Sequence, residues 1–299
     1  MDKIVVTTST FAQYDKAPLE LLRKKNLEVL LNPYARKLTK EEVIQLCRDA
    51  VGIIAGLEPL DSDVLEKLKA LKVISRCGVG FDNIDMDAAK RLGINVFNTP
   101  DAPTLAVAEL TVGLMLNLLR RINRMDAAIK EERWEKITGN LIYRKRVGII
   151  GFGRIGRKVA ELLKAFGCEI VYSDPFVEDK VLGFTQLSLG ELLRGADIVS
   201  LHLSGKERIL GENELGLMKK SAFLVNISRG GIVDESALFK YLKDSRLAGA
   251  AVDVFQQEPY CGELLSLENI ILTPHIGSYT QETRAEMENK AVENLLKGL

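Results

Sequence analysis

Histidine is nearly absent from this chain: two residues in 299, His202 and His275, so imidazole chemistry has few possible bearers. Neither stands in a cluster of carboxylates, and two isolated histidines offer no ligand set for a metal ion. The four cysteines, Cys47, Cys77, Cys168 and Cys261, lie far apart and form no CxxC. They read as small buried hydrophobes in a reducing compartment rather than as a disulfide frame or a zinc site. Excess charge of either sign is also missing, since 41 Lys and Arg balance 41 Asp and Glu. That removes the strongest sequence argument for a nucleic-acid partner. No apolar run approaches the ~20 residues that span a bilayer, and MDKIVVTTST runs into a strand-like segment with no signal peptide. The expectation is a soluble, cytoplasmic protein with no membrane partner.

What is present is globular. Hydrophobic residues make up 46% and charged residues 27%, which excludes intrinsic disorder, and the length suits two domains. Short β-branched runs alternate with amphipathic, helix-length stretches from end to end. Ile4-Val5-Val6-Thr7, Leu27 to Leu31, Gly52 to Ala55, Val73 to Ser75 and Ile94 to Phe97 read as strands. Between them lie helices that include one opened by Thr39 with Glu42 as a capping box, one over Asp63 to Leu71, and one ended by Gly93. Such alternation implies a parallel sheet covered on both faces. Asn98-Thr99-Pro100 interrupts the pattern and marks a domain boundary. A long apolar helix from Thr104 to Arg120, continuing in more charged form to about Glu135, follows it. A second βα series then runs from Arg146 to Leu272, and a last helix, about Thr280 to Leu296, can cross back to the first domain. The fold class is therefore α/β with two doubly wound parallel-sheet domains. Residues 1–98 with 281–299 form the smaller, flavodoxin-like one, and 99–280 form an inserted Rossmann-like one.

Gly151-Phe152-Gly153-Arg154-Ile155-Gly156 is a GxGxxG placed after an apolar strand and before an amphipathic helix. This is the setting in which the motif cradles a dinucleotide pyrophosphate. Gly151 permits the tight turn, Gly153 lets backbone amides approach the phosphates, and Gly156 lets helix and strand pack closely. The helix N-terminus at Arg154 and Ile155 adds unpaired N–H groups and the positive end of a dipole. Asp174, before Pro175, ends the next strand at the distance expected for a carboxylate that accepts from ribose hydroxyls. A carboxylate there repels a 2′-phosphate, so the expected cofactor is NAD rather than NADP.

Three later segments stand at carboxyl ends of strands, where open α/β sheets bind ligands. They are Asn226-Ile227-Ser228-Arg229-Gly230-Gly231, Asp253-Val254-Phe255-Gln256-Gln257-Glu258-Pro259 and Thr273-Pro274-His275-Ile276-Gly277-Ser278. With the glycine turn, CGVGFDNID at 77–85 and NTP at 98–100, they make the chain resemble the D-2-hydroxyacid dehydrogenases, phosphoglycerate dehydrogenase-like. The resemblance covers essentially the whole chain. It implies that Arg229 grips a substrate carboxylate and polarises the keto oxygen, and that His275 is the general acid/base with Glu258 beside it. A neighbouring carboxylate favours an imidazolium. The resemblance further implies that Asp253 faces the nicotinamide carboxamide and that Ile227 and Ser228 line the same pocket. Pro175, His202 and Gly277 would complete the cofactor's surroundings. Substrate carboxylate anchoring falls to backbone amides of the first domain, here at Gly56, Leu57, Gly78 and Val79.

The pattern departs from the family in two places. The loop after His202, Leu203-Ser204-Gly205-Lys206, is about three residues shorter than usual. Ala55-Gly56 stands where some phosphoglycerate dehydrogenases carry an Arg-Ser pair, so an obvious phosphate clamp is missing. The implied activity is NAD-linked interconversion of a D-2-hydroxy acid and its 2-keto acid, phosphoglycerate dehydrogenase-like, in a homodimer built on the long helix. The expected active site is a cleft between the domains. No C-terminal regulatory domain is expected after Leu299. Glyoxylate or hydroxypyruvate reduction is one alternative; a non-catalytic, NAD-binding, corepressor-like protein is another.

Overall fold

Strands covered on both faces must be apolar at every position, not only at alternate ones. β3 (Gly52–Ala55), β4 (Val73–Arg76), β9 (Ile198–Leu201), β10 (Phe223–Asn226) and β11 (Gly249–Val252) are buried along their whole length. A computed structural model describes residues 1–177, 183–205 and 207–299. The chain divides into two compact units, Met1–Pro103 with Ser278–Leu299, and Thr104–Gly277. The divisions fall a few residues from the expected 98/99 and 280/281, because Thr104 opens a helix and the turn after His275 stays with the sheet that carries it.

The first unit holds β1 (Lys3–Val6), α1 (Ala17–Lys24), β2 (Glu28–Leu31), α2 (Lys40–Cys47), β3, α3 (Ser62–Leu65), β4, α4 (Met86–Arg91) and β5 (Asn95–Phe97). Its strands form a parallel sheet in the order β2-β1-β3-β4-β5. The Thr39–Glu42 capping box is formed, with Glu42 N–H donating to Thr39 Oγ1 at 3.3 Å and Thr39 N–H to Glu42 Oε2 at 2.9 Å. The helix expected over Asp63 to Leu71 is shorter. α3 is one turn, after which Leu68 and Leu71 N–H bond three residues back, as in tight turns rather than an α-helix. The final helix, α11 (Gln281–Gly298), returns to this unit, where Met287, Ala291, Val292 and Leu295 pack with Ile4, Val6, Ile54 and Val73.

The second unit begins with α5 (Thr104–Arg120) and α6 (Ile122–Lys130). One helix reaching about Glu135 was expected. Instead the chain breaks at Arg121, which takes φ 52°, and Asn117 Oδ1 accepts the Asn123 N–H at 2.9 Å, restarting the helix. There follow β6 (Arg146–Ile150), α7 (Arg154–Lys164), β7 (Glu169–Ser173), β8 (Thr185–Gln186), α8 (Leu189–Gly195), β9, α9 (Glu212–Leu217), β10, α10 (Glu235–Lys243), β11, a 3₁₀ turn (Glu263–Ser266) and β12 (Ile270–Leu272). All seven strands are parallel, in the order β12-β11-β10-β9-β6-β7-β8. One face is covered by Met115, Leu119, Val159 and Leu163, the other by Leu192, Leu193, Leu238 and Leu242. Among the described residues no helix is long and apolar enough to cross a membrane.

Candidate active site

The strand order of the second unit reverses between β6 and β9, so the loops after these strands diverge and leave a crevice at the carboxyl edge. The glycine turn follows β6. Gly151 takes φ +89° and a Cβ there would press on the His202 carbonyl, while a Cβ at Gly156 would collide with the Gly151 carbonyl oxygen. Only glycine fits either position. Gly153 is the N-cap of α7 with no side chain capping it, and the space where its Cβ would stand is open. Arg157 N–H makes the first helix bond, to the Gly153 carbonyl at 3.0 Å. The turn therefore presents the dipole's positive end at Arg154 and Ile155 with room for phosphates.

Asp174 closes the far side of this turn. Its Oδ2 accepts the Phe152 N–H at 2.7 Å and its Oδ1 the Phe176 N–H at 2.9 Å, in the turn made by Pro175. Each oxygen keeps a lone pair for a hydroxyl. His202 follows β9, with Nε2 2.8 Å from Ser200 Oγ. Its Nδ1 is buried with no protein partner, and burial pushes its pKa down to about 3, so the ring is neutral. An orphaned ring nitrogen beside the glycine turn, an uncapped helix and a carboxylate with lone pairs to spare fit the phosphate and ribose groups of a dinucleotide. The loop following His202 is described as far as Gly205; Lys206 lies outside the described residues.

Three neighbouring strands supply the other candidates. After β10, Asn226 Oδ1 accepts the Ser228 N–H at 3.2 Å and its hydroxyl at 2.8 Å, and Asn226 Nδ2 donates to the Arg229 carbonyl at 3.2 Å. Arg229, at the end of this network, is half-buried, and its Nη1 donates to the Ser228 carbonyl at 2.8 Å. Of the two residues expected to line the nicotinamide pocket, Ser228 donates its hydroxyl to Asn226 and Ile227 packs in the core below this edge.

Glu258, after β11, and His275, after β12, come together as expected. His275 Nδ1 lies 3.0 Å from Glu258 Oε2 and 3.2 Å from Oε1. Glu258 is itself held by the Phe255 N–H at 3.1 Å. A carboxylate only accepts, so Nδ1 is the donor, and Nε2 is left to exchange a proton with a ligand. His275 adopts φ 54°, a left-handed conformation that non-glycine residues take at a cost of about 1 kcal/mol or more.

Asp253 explains how that conformation persists. The carboxylate, 1% exposed, takes Thr273 Oγ1 and Ile276 N–H (2.8 Å) on Oδ1 and Gly277 N–H (3.0 Å) on Oδ2. Asp253 thus pins the loop on both sides of His275. Asp253, expected to face the nicotinamide, is bonded to its own loop, and the Gly277 amide donates to it. Burial raises the Asp253 carboxyl, while these donors draw it down.

The first-unit loops also differ from expectation. Gly56 N–H donates to both oxygens of Glu58, at 2.9 and 3.1 Å, and Gly78 N–H to Thr99 Oγ1 at 2.9 Å. Those two amides serve the loops themselves, whereas the Leu57 and Val79 N–H groups have no acceptor among the described residues. Asn226, Thr273, Ser200 and Glu58 are the residues that the sequence did not single out. Each acts on its neighbours through a side-chain bond, for which no short motif exists.

Residues 112–277 match the family model described as D-isomer specific 2-hydroxyacid dehydrogenase, NAD binding domain. Across 276 residues the chain is 42% identical to a D-3-phosphoglycerate dehydrogenase of Methanocaldococcus jannaschii, covering 89% of this chain but 53% of that protein, about half its length. It is 37% identical over 296 residues to a hydroxypyruvate reductase of Thermotoga maritima, covering 95% of each. A crystal structure of a Thermus thermophilus protein superposes with a TM-score of 0.92 at 38% identity, covering 98% of this chain and 96% of that one. The chain belongs to the D-isomer specific 2-hydroxyacid dehydrogenase family.

Proposed function

We propose that this chain reversibly reduces a 2-keto acid to the D-2-hydroxy acid with NADH, the second unit binding the cofactor and the first the substrate. The observation that carries this reading is the His275–Glu258 pair at the same sheet edge as Arg229, together with the glycine turn. A protein that only sensed NAD would need the turn and Asp174, but not an acid/base pair and a guanidinium at the same sheet edge. A bound reduced nicotinamide supplies the hydride that reaches C2 of the substrate. The Arg229 guanidinium grips the substrate carboxylate and draws charge onto the keto oxygen, a task its planar fork suits. His275 Nε2 gives its proton to that oxygen as the carbon is reduced, and Glu258 steadies the imidazolium that exists before the transfer. In the reverse direction Nε2 takes the hydroxyl proton. Consumption of NADH on mixing with a 2-keto acid tests the reading; tight NADH binding without turnover favours the corepressor-like alternative.

The Asp174 carboxylate, which would stand against a 2′-phosphate, supports NAD rather than NADP as the cofactor. Replacing Asp174 by alanine should lower the NADH-to-NADPH preference, measured as the ratio of kcat/KM, by about tenfold or more. An unchanged ratio removes Asp174 from this role.

A homodimer is proposed on the α5–α6 face and the segment after it, where Leu105, Ile122, Ile129, Leu141 and Trp134 (80% exposed) leave apolar surface in water. A solution mass of one chain would exclude it. Phosphoglycerate is the substrate that the resemblance puts first, with hydroxypyruvate and glyoxylate as the unphosphorylated alternatives.

A further inference from the structure

The sheet of the first unit reverses its strand order between β1 and β3, the kind of place where doubly wound sheets take ligands. The loops that leave these strands start with Thr7 and with Gly56-Leu57-Glu58. Glu58 folds its side chain back into this corner and is 1% exposed. Its carboxylate accepts the Gly56 N–H through both oxygens and also the Thr7 hydroxyl. Asn83 Nδ2 fixes the loop from behind, donating to the Glu58 carbonyl at 2.6 Å and the Gly56 carbonyl at 3.3 Å. Burial pushes the Glu58 carboxyl up, while the Thr7 hydroxyl, the Gly56 N–H and the positive charge of the buried Arg76, at the end of β4, act against it and favour the carboxylate. The donors and the cation that an anionic group would seek in this corner are therefore arranged around an anionic group of the protein's own.

We propose that Glu58 sets the substrate class: by filling the anion-binding corner of the first unit, it restricts the enzyme to short 2-keto and 2-hydroxy acids without a phosphate. This rests on the dehydrogenase reading and deepens it. Anion sites in loops work through unspent N–H and O–H donors and nearby cations. Here the Gly56 N–H and the Thr7 O–H are spent, and the field of Arg76 is offset. A phosphate brought to the same corner meets a fixed carboxylate in a low-dielectric setting, where like charges repel strongly. Within the first unit the Leu57 and Val79 amides stay open to the single carboxylate of a short keto acid. Hydroxypyruvate fits this class, and its phosphorylated counterpart does not.

The test compares hydroxypyruvate with phosphohydroxypyruvate, under NADH, in the wild type and in Glu58→Gln, which keeps the shape and removes the charge. The wild type should favour hydroxypyruvate in kcat/KM by about tenfold or more, and the variant should raise the phosphorylated-to-unphosphorylated ratio by about tenfold or more. Equal or better use of phosphohydroxypyruvate by the wild type, or a ratio unmoved in the variant, overturns the proposal. Glu58→Thr serves in the same comparison if the glutamine variant does not melt cooperatively. Inorganic phosphate, added with saturating NADH so that the glycine turn is filled, supplies a second readout that needs no turnover: it should raise the melting temperature of the variant and leave the wild type unmoved. An equal shift in both, or none in either, counts against Glu58. Should neither keto acid be reduced, the dehydrogenase reading fails by itself, and the phosphate measurement still decides what Glu58 does.

Discussion

His275→Ala lowers kcat by about 10³-fold while NADH affinity is nearly preserved, because general acid/base transfer contributes on the order of 10²–10⁴ to such rates. Among the described residues at this sheet edge, the imidazole is the group whose geometry suits proton transfer. Nδ1 is committed to Glu258 at 3.0 Å, and the other nitrogen faces outward from a loop with 44% of the side chain exposed. Truncation to alanine removes the proton carrier but leaves the Asp253 bonds to Ile276 and Gly277, which are made by backbone amides. The loop and the cofactor turn should therefore survive. Stopped-flow binding of NADH beside steady-state turnover separates the two effects. Unchanged turnover would remove His275 from the acid/base role, and loss of NADH binding would show that the residue acts by holding the cofactor.

Asp253→Ala is the second large effect, and it acts through His275. The carboxylate is 1% exposed and receives a hydroxyl and two N–H groups from the segment that carries the histidine. Its loss leaves three donors without their acceptor, at about 1–3 kcal/mol for each one that stays buried, so a loss of about 3 kcal/mol or more is expected. For 299 residues melting together that is a fall in Tm of about 5 °C or more. The left-handed backbone at His275 loses its restraint at the same time, and kcat should fall about 10²-fold or more because small misplacements of a catalytic group are costly. Asp253→Asn refines the point. Its carbonyl oxygen can still accept from Thr273 and Ile276, but its NH2 confronts the Gly277 N–H, so an intermediate loss is expected. A melting temperature and kcat unchanged in the alanine variant would refute the pinning role.

Much of this architecture was legible in the sequence because it is written in short-range patterns. Consecutive apolar residues mark strands buried on both faces, and glycines at fixed offsets mark a turn that no other residue tolerates, as the crowding at Gly151 and Gly156 shows. The His275–Glu258 pair was reached through ordered motifs, since nothing local in either segment says that they touch. What escaped depends on side chains meeting across the fold. Glu58 takes the Thr7 hydroxyl from 51 residues away, and Asp253 reaches Gly277 across 24 residues. An amide assigned to a ligand from sequence can thus be claimed by a carboxylate of the same chain. The helix after Thr104 was overextended for a related reason. Ile122 to Lys130 has every mark of a helix, and only the Asn117 side chain reveals the break at Arg121. α3 stops early where Leu68 and Leu71 turn into three-residue hydrogen bonds, although Asp63 to Leu71 keeps a helix-like apolar spacing.

The most direct test of the central claim follows the hydride itself. Purified protein is given NADH deuterated at the reactive position of the nicotinamide, with hydroxypyruvate, glyoxylate, pyruvate, phosphohydroxypyruvate and a branched-chain keto acid in separate reactions. The expected result is deuterium at C2 of the hydroxy acid formed, with the D configuration wherever C2 of the unlabelled product is a stereocentre, and with an unphosphorylated acid reduced fastest. No transfer to any of these acids in a protein that binds NADH, or a product of the L configuration, would contradict the account.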